Sequence, residues 1–398
     1  MIHRTILLSL AAAVLHACSP KTEQKQETKE QEPIYVRMAD SELQRNPDPR
    51  LIDFREKPKW EYTNGLMLLS FYKVWKKTGD ERFLNYGKAY MDSMITADGK
   101  ILTYKLTDYN IDRVNPGKFL MLLNQIDHKA KYDSAIQTLR DQMKGHPRTS
   151  EGGFWHKKIY EHQMWLDGLY MGSPFLAQYA ALYNEPELFD DIAKQFLQIE
   201  KHSYSEEKQL YYHGWDESKS QKWADPETGL SPELWGRAMG WFAMAVVDVL
   251  DYFPEDHPNR DTLIHIAQKV ATGIEKYQDS KSGVWYQVLD KGDQEGNYLE
   301  SSCSSMFVYM LAKALKNGYI DPSYQAVADK GYEGILQEFI KENEDGTISL
   351  TKVCGVAGLG GNPYRDGTYE YYINEIIRDN DPKGVGPFIM ASLLMEEK

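Results

Sequence analysis

Cysteine is scarce in this sequence: 398 residues contain three, Cys18, Cys303 and Cys354. So few thiols exclude a disulfide-stapled scaffold and a cysteine-rich zinc site, and no CxxC, HExxH or EF-hand pattern is present. Neither a metal nor a cofactor is therefore expected. Cys303 and Cys354 read as small buried hydrophobes rather than as partners in a bridge. Basic residues are also in deficit, with 46 Lys and Arg against 59 Asp and Glu and a formal net charge of -13. Without a Lys/Arg stripe, a nucleic-acid partner is excluded. An anionic small substrate is not, because a local cluster of His and Arg beside helix N-termini can hold one carboxylate. Sustained alternation of apolar and polar residues is missing too, which excludes a large half-buried sheet.

Long apolar runs are absent but for residues 6–15, which are too few to span a membrane. That run follows His3 and Arg4 and leads into Leu15-His16-Ala17-Cys18, the pattern of a secretory signal peptide (residues 1–17) ending in a lipobox. Cleavage before Cys18 and lipid attachment to its thiol are expected, giving an exported, membrane-anchored lipoprotein on the periplasmic or cell-surface side of a Gram-negative bacterium. Residues 19–33 are polar and charged and predict a disordered tether, with the folded domain over residues 34–398. The lipid is the only membrane attachment expected, and the domain is expected to be a monomer.

Helical periodicity dominates beyond the tether, in pairs of segments joined by short polar turns: 63–78 with 81–95, 116–126 with 131–144, 168–183 with 186–200, 232–252 with 260–277, and 302–317 with 323–341. A last apolar helix, 385–395, would be half of a sixth pair. This count predicts an all-α toroid of inner and outer helices. The strand-like pieces 284–289 and 347–353 read as small hairpins in loops. The segments before each first helix are long and carry unusual residues: 60–62, 109–115, 156–167, 213–235, 298–303 and 362–384. If the first helices form the inner ring, these loops gather at one end with the inner-helix N-termini, where the field favours a bound anion.

Asp167 stands out there, between Trp165 and Tyr170. A carboxyl group walled by aromatic rings is poorly solvated, which favours its neutral form and suits a general acid; alternatively it caps a helix beginning at Gly168. Asp112, beside Arg113, is either a surface ion pair or the second carboxylate of an acid/base pair. His156 and His213 lie in two of the long loops and serve structure or the site. Trp235, Arg237 and Trp241 start an inner helix, and offer either packing with an ion pair or a stacking platform for sugars with Arg237 on a carboxylate. The glycines of 358–367 and 383–388, with Lys383, either cradle an anion or simply make turns.

Four stretches taken together carry a resemblance: residues 109–118, Trp165-Leu166-Asp167-Gly168-Leu169-Tyr170-Met171, Trp235-Gly236-Arg237-Ala238-Met239-Gly240-Trp241, and Lys383-Gly384-Val385-Gly386-Pro387-Phe388. The chain resembles the unsaturated rhamnogalacturonyl hydrolases of glycoside hydrolase family 105, relatives of the family 88 unsaturated glucuronyl hydrolases. The resemblance implies an (α/α)6 barrel and an oligosaccharide substrate whose non-reducing end is a 4,5-unsaturated uronate. It also implies Asp167 as general acid/base, Asp112 as assisting carboxylate, and His156, His213, Trp235, Arg237 and Trp241 as pocket residues, with Lys383 toward the uronate or the next sugar. The implied reaction is hydration of the C4–C5 double bond rather than displacement at the anomeric carbon. Competing readings are an unsaturated glucuronyl hydrolase, an inverting glycosidase for saturated substrates, an epimerase using His156 and His213, and a glycan-binding lipoprotein.

Overall fold

The computed structural model describes Met1 and residues 32–396; the expected signal peptide, Cys18 and nearly all of the tether lie outside the described residues. Helix α1 (Ile34–Arg45) is followed by five consecutive pairs: α2 (Tyr62–Thr78) with α3 (Glu81–Met94), α4 (Gly117–Ile126) with α5 (Ala130–Gly145), α6 (Leu166–Tyr183) with α7 (Leu188–Ser203), α8 (Gly236–Val249) with α9 (Arg260–Lys276), and α10 (Ser301–Lys316) with α11 (Gln325–Glu338). The short α12 (Tyr369–Ile373) and the apolar α13 (Pro382–Met395) end the described chain. Polar turns separate the partners as the sequence requires. Gly79 ends α2 in a left-handed conformation (φ 74°), and Asp80 then caps α3 by accepting from the Arg82 amide at 3.0 Å.

The first helices of the pairs touch one another in turn, α2 on α4, α4 on α6, α6 on α8 and α8 on α10; α13 packs against both α10 and α2 and closes the ring. The result is an (α/α)6 barrel. Its two layers differ in burial as their sequences do. All 14 residues of α8 are buried. By contrast α3 buries Phe83, Leu84, Gly87, Tyr90, Met91 and Met94, one stripe at helical spacing. The missing partner of the sixth pair is α1, which the periodicity did not reveal. It packs on α13 and α2, burying Tyr35, Val36, Met38 and Ala39. Arg45 holds it in place by pairing with Glu42 at 2.7 Å and donating to the Ile348 carbonyl at 2.9 Å.

Among the described residues, eight short strands form four antiparallel ribbons in the loops: β1 (Gln163–Trp165) with β4 (Gly214–Asp216), β2 (Tyr204–Ser205) with β3 (Leu210–Tyr211), β5 (Ile340–Glu342) with β6 (Ile348–Leu350), and β7 (Val353–Cys354) with β8 (Ile377–Arg378). The 347–353 piece thus supplies β6. The 284–289 piece makes only single bridges, Val288 to Trp235 and Tyr286 to Leu299. Cys303 and Cys354 are both free and buried. Gly384 and Gly386 serve packing: an added Cβ would stand 2.8 Å from Val353 and 2.8 Å from Leu66 respectively, so α13 can approach its neighbours only without side chains there.

Candidate active site

Two loop pairings build the site. The first joins residues 109–112 to 156–158: the Lys158 amide donates to the Tyr109 carbonyl at 3.0 Å, the Ile111 amide to the His156 carbonyl at 3.3 Å, and Asn110 bridges Lys157. Asn110 then caps a 3-10 turn (Ile111–Val114) by accepting from the Asp112 amide at 3.1 Å. Asp112 is thereby held against the facing loop, its Oδ1 3.3 Å from His156 Nε2 and its Oδ2 2.7 Å from Lys157 Nζ. The second pairing is the β1–β4 ribbon, extended by the Leu166 amide donating to the His213 carbonyl at 3.0 Å. It sets His213 Nε2 3.2 Å from Asp167 Oδ2, although off the line of a hydrogen bond. Since α6 starts at Leu166, Asp167 lies within its first turn and does not cap it; Trp165 is the cap position and makes no side-chain cap bond.

The electrostatics follow from burial and neighbours. His156 is 3% exposed and its imidazole is held well below the usual histidine range, first by burial and then by Lys157. It is neutral beside Asp112. Burial alone would lower Lys157, but the charge and hydrogen bond of Asp112 outweigh it and leave the ammonium above its ordinary range. Asp112 is therefore matched with a full positive charge. Tyr372 Oη lies 2.7 Å from His213 Nδ1, and burial raises that phenol well above its usual range. A phenol that keeps its proton can donate it to Nδ1, which places the imidazole proton on Nε2, facing Asp167.

Asp112, Asp167, His156, Trp241 and Lys383 line one cavity of about 370 Å3. Most of its lining is charged, with Tyr62, Trp165 and Trp241 as the aromatic part. Trp165 stacks on His156 (centroids 4.4 Å, 12°) and on Tyr160 (4.8 Å, 18°), while Trp241 stacks on Tyr170 (4.8 Å, 24°) with Tyr62 edge-on at 6.3 Å. Lys383 pairs with Asp381 at 2.7 Å and Asp53 at 3.2 Å. The other expected residues sit behind this wall. His213 is fully buried, and Trp235 packs against both it and Tyr372 while donating to Gln287 at 3.1 Å. Arg237 is not brought to the cavity. It is 1% exposed and donates to Ser302 Oγ (2.8 Å) and the Gly355 (3.1 Å) and Cys354 carbonyls, with Glu300 3.4 Å away.

The sequence did not single out Arg55, Glu61, Tyr62, Arg113, Lys157, Arg365 and Arg378 as site residues, although all but Arg55 lie in the loops expected to gather at this end. Lys157 was within reach, being next to His156 in a stretch already singled out. Arg55 and Arg113 line the cavity with their guanidinium groups paired to Asp53 at 2.9 Å and Glu61 at 3.2 Å, and the Nε–H of each is buried without a partner. The arrangement offers two carboxylates with different partners, stacking surfaces for sugar rings, and guanidinium groups for a carboxylate. That is equipment for acid/base chemistry on an acidic saccharide.

Comparison with known proteins agrees. Residues 34–398 match the family model described as Glycosyl Hydrolase Family 88. A solved family 105 glycoside hydrolase of C. acetobutylicum superposes with a TM-score of 0.88 at 46% identity, covering 92% of this chain and 99% of that one. The unsaturated rhamnogalacturonyl hydrolase YesR of Bacillus subtilis is 26% identical over 278 residues, 68% of this chain and 76% of its own length. An unsaturated glucuronyl hydrolase of Bacillus sp. GL1 shares the fold, with a TM-score of 0.66 at 15% identity over 91% of this chain and 95% of that one. The chain belongs to Glycosyl Hydrolase Family 88 and, like its family 105 relative, is a glycoside hydrolase.

Proposed function

We propose that the enzyme removes a 4,5-unsaturated uronate from the non-reducing end of lyase-generated oligosaccharides, an unsaturated galacturonyl-rhamnose in first place, by hydrating the C4–C5 double bond. The observation that carries this is the pair of carboxylates on one cavity wall, Asp112 held by an ammonium and Asp167 backed by an imidazole N–H. In this mechanism Asp167 gives its proton to C4, leaving positive charge shared between C5 and the ring oxygen. The Asp167 carboxylate then takes a proton from the water attacking C5, and the hemiketal so formed opens and releases the next sugar. Asp112, paired with the Lys157 ammonium, orients that water and stabilises the cation. Trp241 and Trp165 provide faces for the sugar rings, and Arg55 and Arg113 are the cavity-lining cations we assign to the uronate carboxylate.

The likeness to YesR supports the choice of neighbouring sugar, and the signal-peptide and lipobox pattern ending at Cys18 supports action as an anchored lipoprotein outside the cytoplasmic membrane. The protein should work as a monomer, since one chain supplies every group used above. The test is to mix purified enzyme with lyase-digested rhamnogalacturonan and follow the ultraviolet absorbance of the conjugated enol ether. Loss of absorbance is the expected outcome. Loss only with digests of glucuronate-containing polymers would move the substrate assignment, and no loss with either would refute the reaction.

A further inference from the structure

The inner ring holds a second polar region, near the C-terminal ends of α2, α8 and α10 and so away from the loops that build the substrate cavity. Lys118, at the start of the short α4, is directed there. It is 3% exposed, its ammonium lies 3.7 Å from the centroid of the Tyr170 ring, and its Nζ has no hydrogen-bond partner. Charge left in that state inside a protein is unfavourable, and the ring alone is a weak substitute for an anion. Lys118 and Lys73 together line a cavity of about 140 Å3.

Two carboxylates face this cavity, and both are already engaged. Asp248 accepts from Tyr309 Oη and from Lys313 Nζ, each at 2.7 Å, and Asp251 accepts from Lys313 at 2.5 Å. Neither is within ion-pair distance of Lys118. The surplus positive charge is confined by aromatic and aliphatic walls from Tyr72, Leu122 and Pro174. An adjoining cavity of about 380 Å3 shares Lys73 and Asp251 with the first and adds Lys76 at its margin, so the approach is cationic as well.

We propose that this axial cavity is a binding site for a compact oxyanion of the phosphate or sulfate class, with Lys118 as its principal ligand and Lys73 as the second cation. The anion supplies the partner that Lys118 lacks. The groups facing Lys118 are Tyr170, Asp248, Lys73 and Lys313. Burial, which Asp248 opposes and Lys73 and Lys313 reinforce, brings the empty-site ammonium down to about 7, and a bound anion restores the charge. Binding therefore takes up protons when it occurs at slightly alkaline pH. Because the Tyr170 ring is held between Lys118 and Trp241, the site also lies directly behind one of the sugar-stacking walls.

The experiment is calorimetric titration of the full-length protein with inorganic phosphate at constant ionic strength, in two buffers of different ionisation enthalpy. The expected result is one molar equivalent bound, with proton uptake near pH 8, affinity reduced at least tenfold in Lys118→Met and also reduced in Lys73→Met, and affinity unchanged in Asp112→Asn, which separates this site from the substrate cavity. No binding at millimolar phosphate, or equal binding in folded Lys118→Met, overturns the proposal. A second measurement does not depend on the variants folding. Reductive methylation of Lys118 in the wild-type protein, read by peptide mass spectrometry, should slow when phosphate is present, and an unchanged rate counts against the site.

Discussion

Replacing Arg237 with Met probes the interior of the barrel at the start of α8. The guanidinium is enclosed with Glu300, whose carboxylate is fully buried and also accepts from Ser302 Oγ (2.7 Å) and the Cys303 (2.8 Å) and Cys354 (2.9 Å) amides. Methionine fills much of the space but leaves that carboxylate without its countercharge, and strips the Gly355 and Cys354 carbonyls of their donor. Removing one partner of a buried pair costs about 3–5 kcal/mol. At about 2.1 cal/mol/K of unfolding entropy per residue over roughly 365 folded residues, each kcal/mol moves Tm by about 1.3 °C, so a fall of about 4–7 °C is expected. Thermal unfolding followed by circular dichroism measures it. Glu300→Gln in the same background should recover about 1–3 kcal/mol, because the uncompensated charge is then gone. A Tm within a degree of wild type in Arg237→Met, or no recovery in the double variant, would refute the assignment of Arg237 to the interior network.

Asp167→Asn should lower kcat by at least about 10²–10⁴-fold, the range for a lost general acid/base, with an unchanged unfolding profile; near wild-type turnover would remove Asp167 from the mechanism. Asp112→Asn should also be severe, measured in the same absorbance assay, because Lys157 would then face the reacting centre unneutralised. Acid should destabilise the fold through His146. Its Nε2 lies 2.7 Å from the Trp155 carbonyl, its Nδ1 has no partner, and burial lowers its pKa to about 4. The unfolded chain binds that proton near pH 6.5 and the native one does not, so stability falls as pH drops from about 6.5 toward 4. Denaturant titrations at pH 8 and pH 5 should differ by about 2 kcal/mol from this group, a difference that His146→Gln should remove. Gly386→Ala should cost about 1–3 kcal/mol by pressing a methyl on Leu66; a neutral result would mean that α13 has room to move.

The five internal helix pairs were legible because each is a local event: a period of apolar residues, a polar turn, and a second period close behind it in the chain. Helix α1 was not, because its apolar face is a few residues long, and what it packs on lies some 340 positions further along the chain. Asp112, Asp167 and His156 were legible as residues of unusual loops, and the structure brings them to one cavity. Arg237 shows where the same reasoning fails. An arginine flanked by tryptophans suggests a clamp for a substrate carboxylate, but here the facing carboxylate belongs to Glu300, placed by a helix that begins more than sixty residues later. The helix start at Leu166 rather than Gly168 is a smaller shift with a larger consequence, since it takes Asp167 out of capping geometry. Arg55, Arg113 and the two arginines Arg365 and Arg378 come from three segments far apart in the sequence, and only the closed ring brings them to one cavity.

The pairing of α1 with α13 gives the ring a seam. Every other pair is stitched by a short turn, so its two helices find each other at the high effective concentration of a hairpin. The sixth pair has no such stitch. It is joined by packing, helped by the Ile34 amide donating to Glu396 at 3.2 Å. During synthesis the five stitched pairs can gather in order, yet the toroid stays open, with the apolar flanks of α2 and α10 uncovered, until α13 emerges and α1 returns to it. Under mechanical load or partial denaturation the same seam is where the circle would first part.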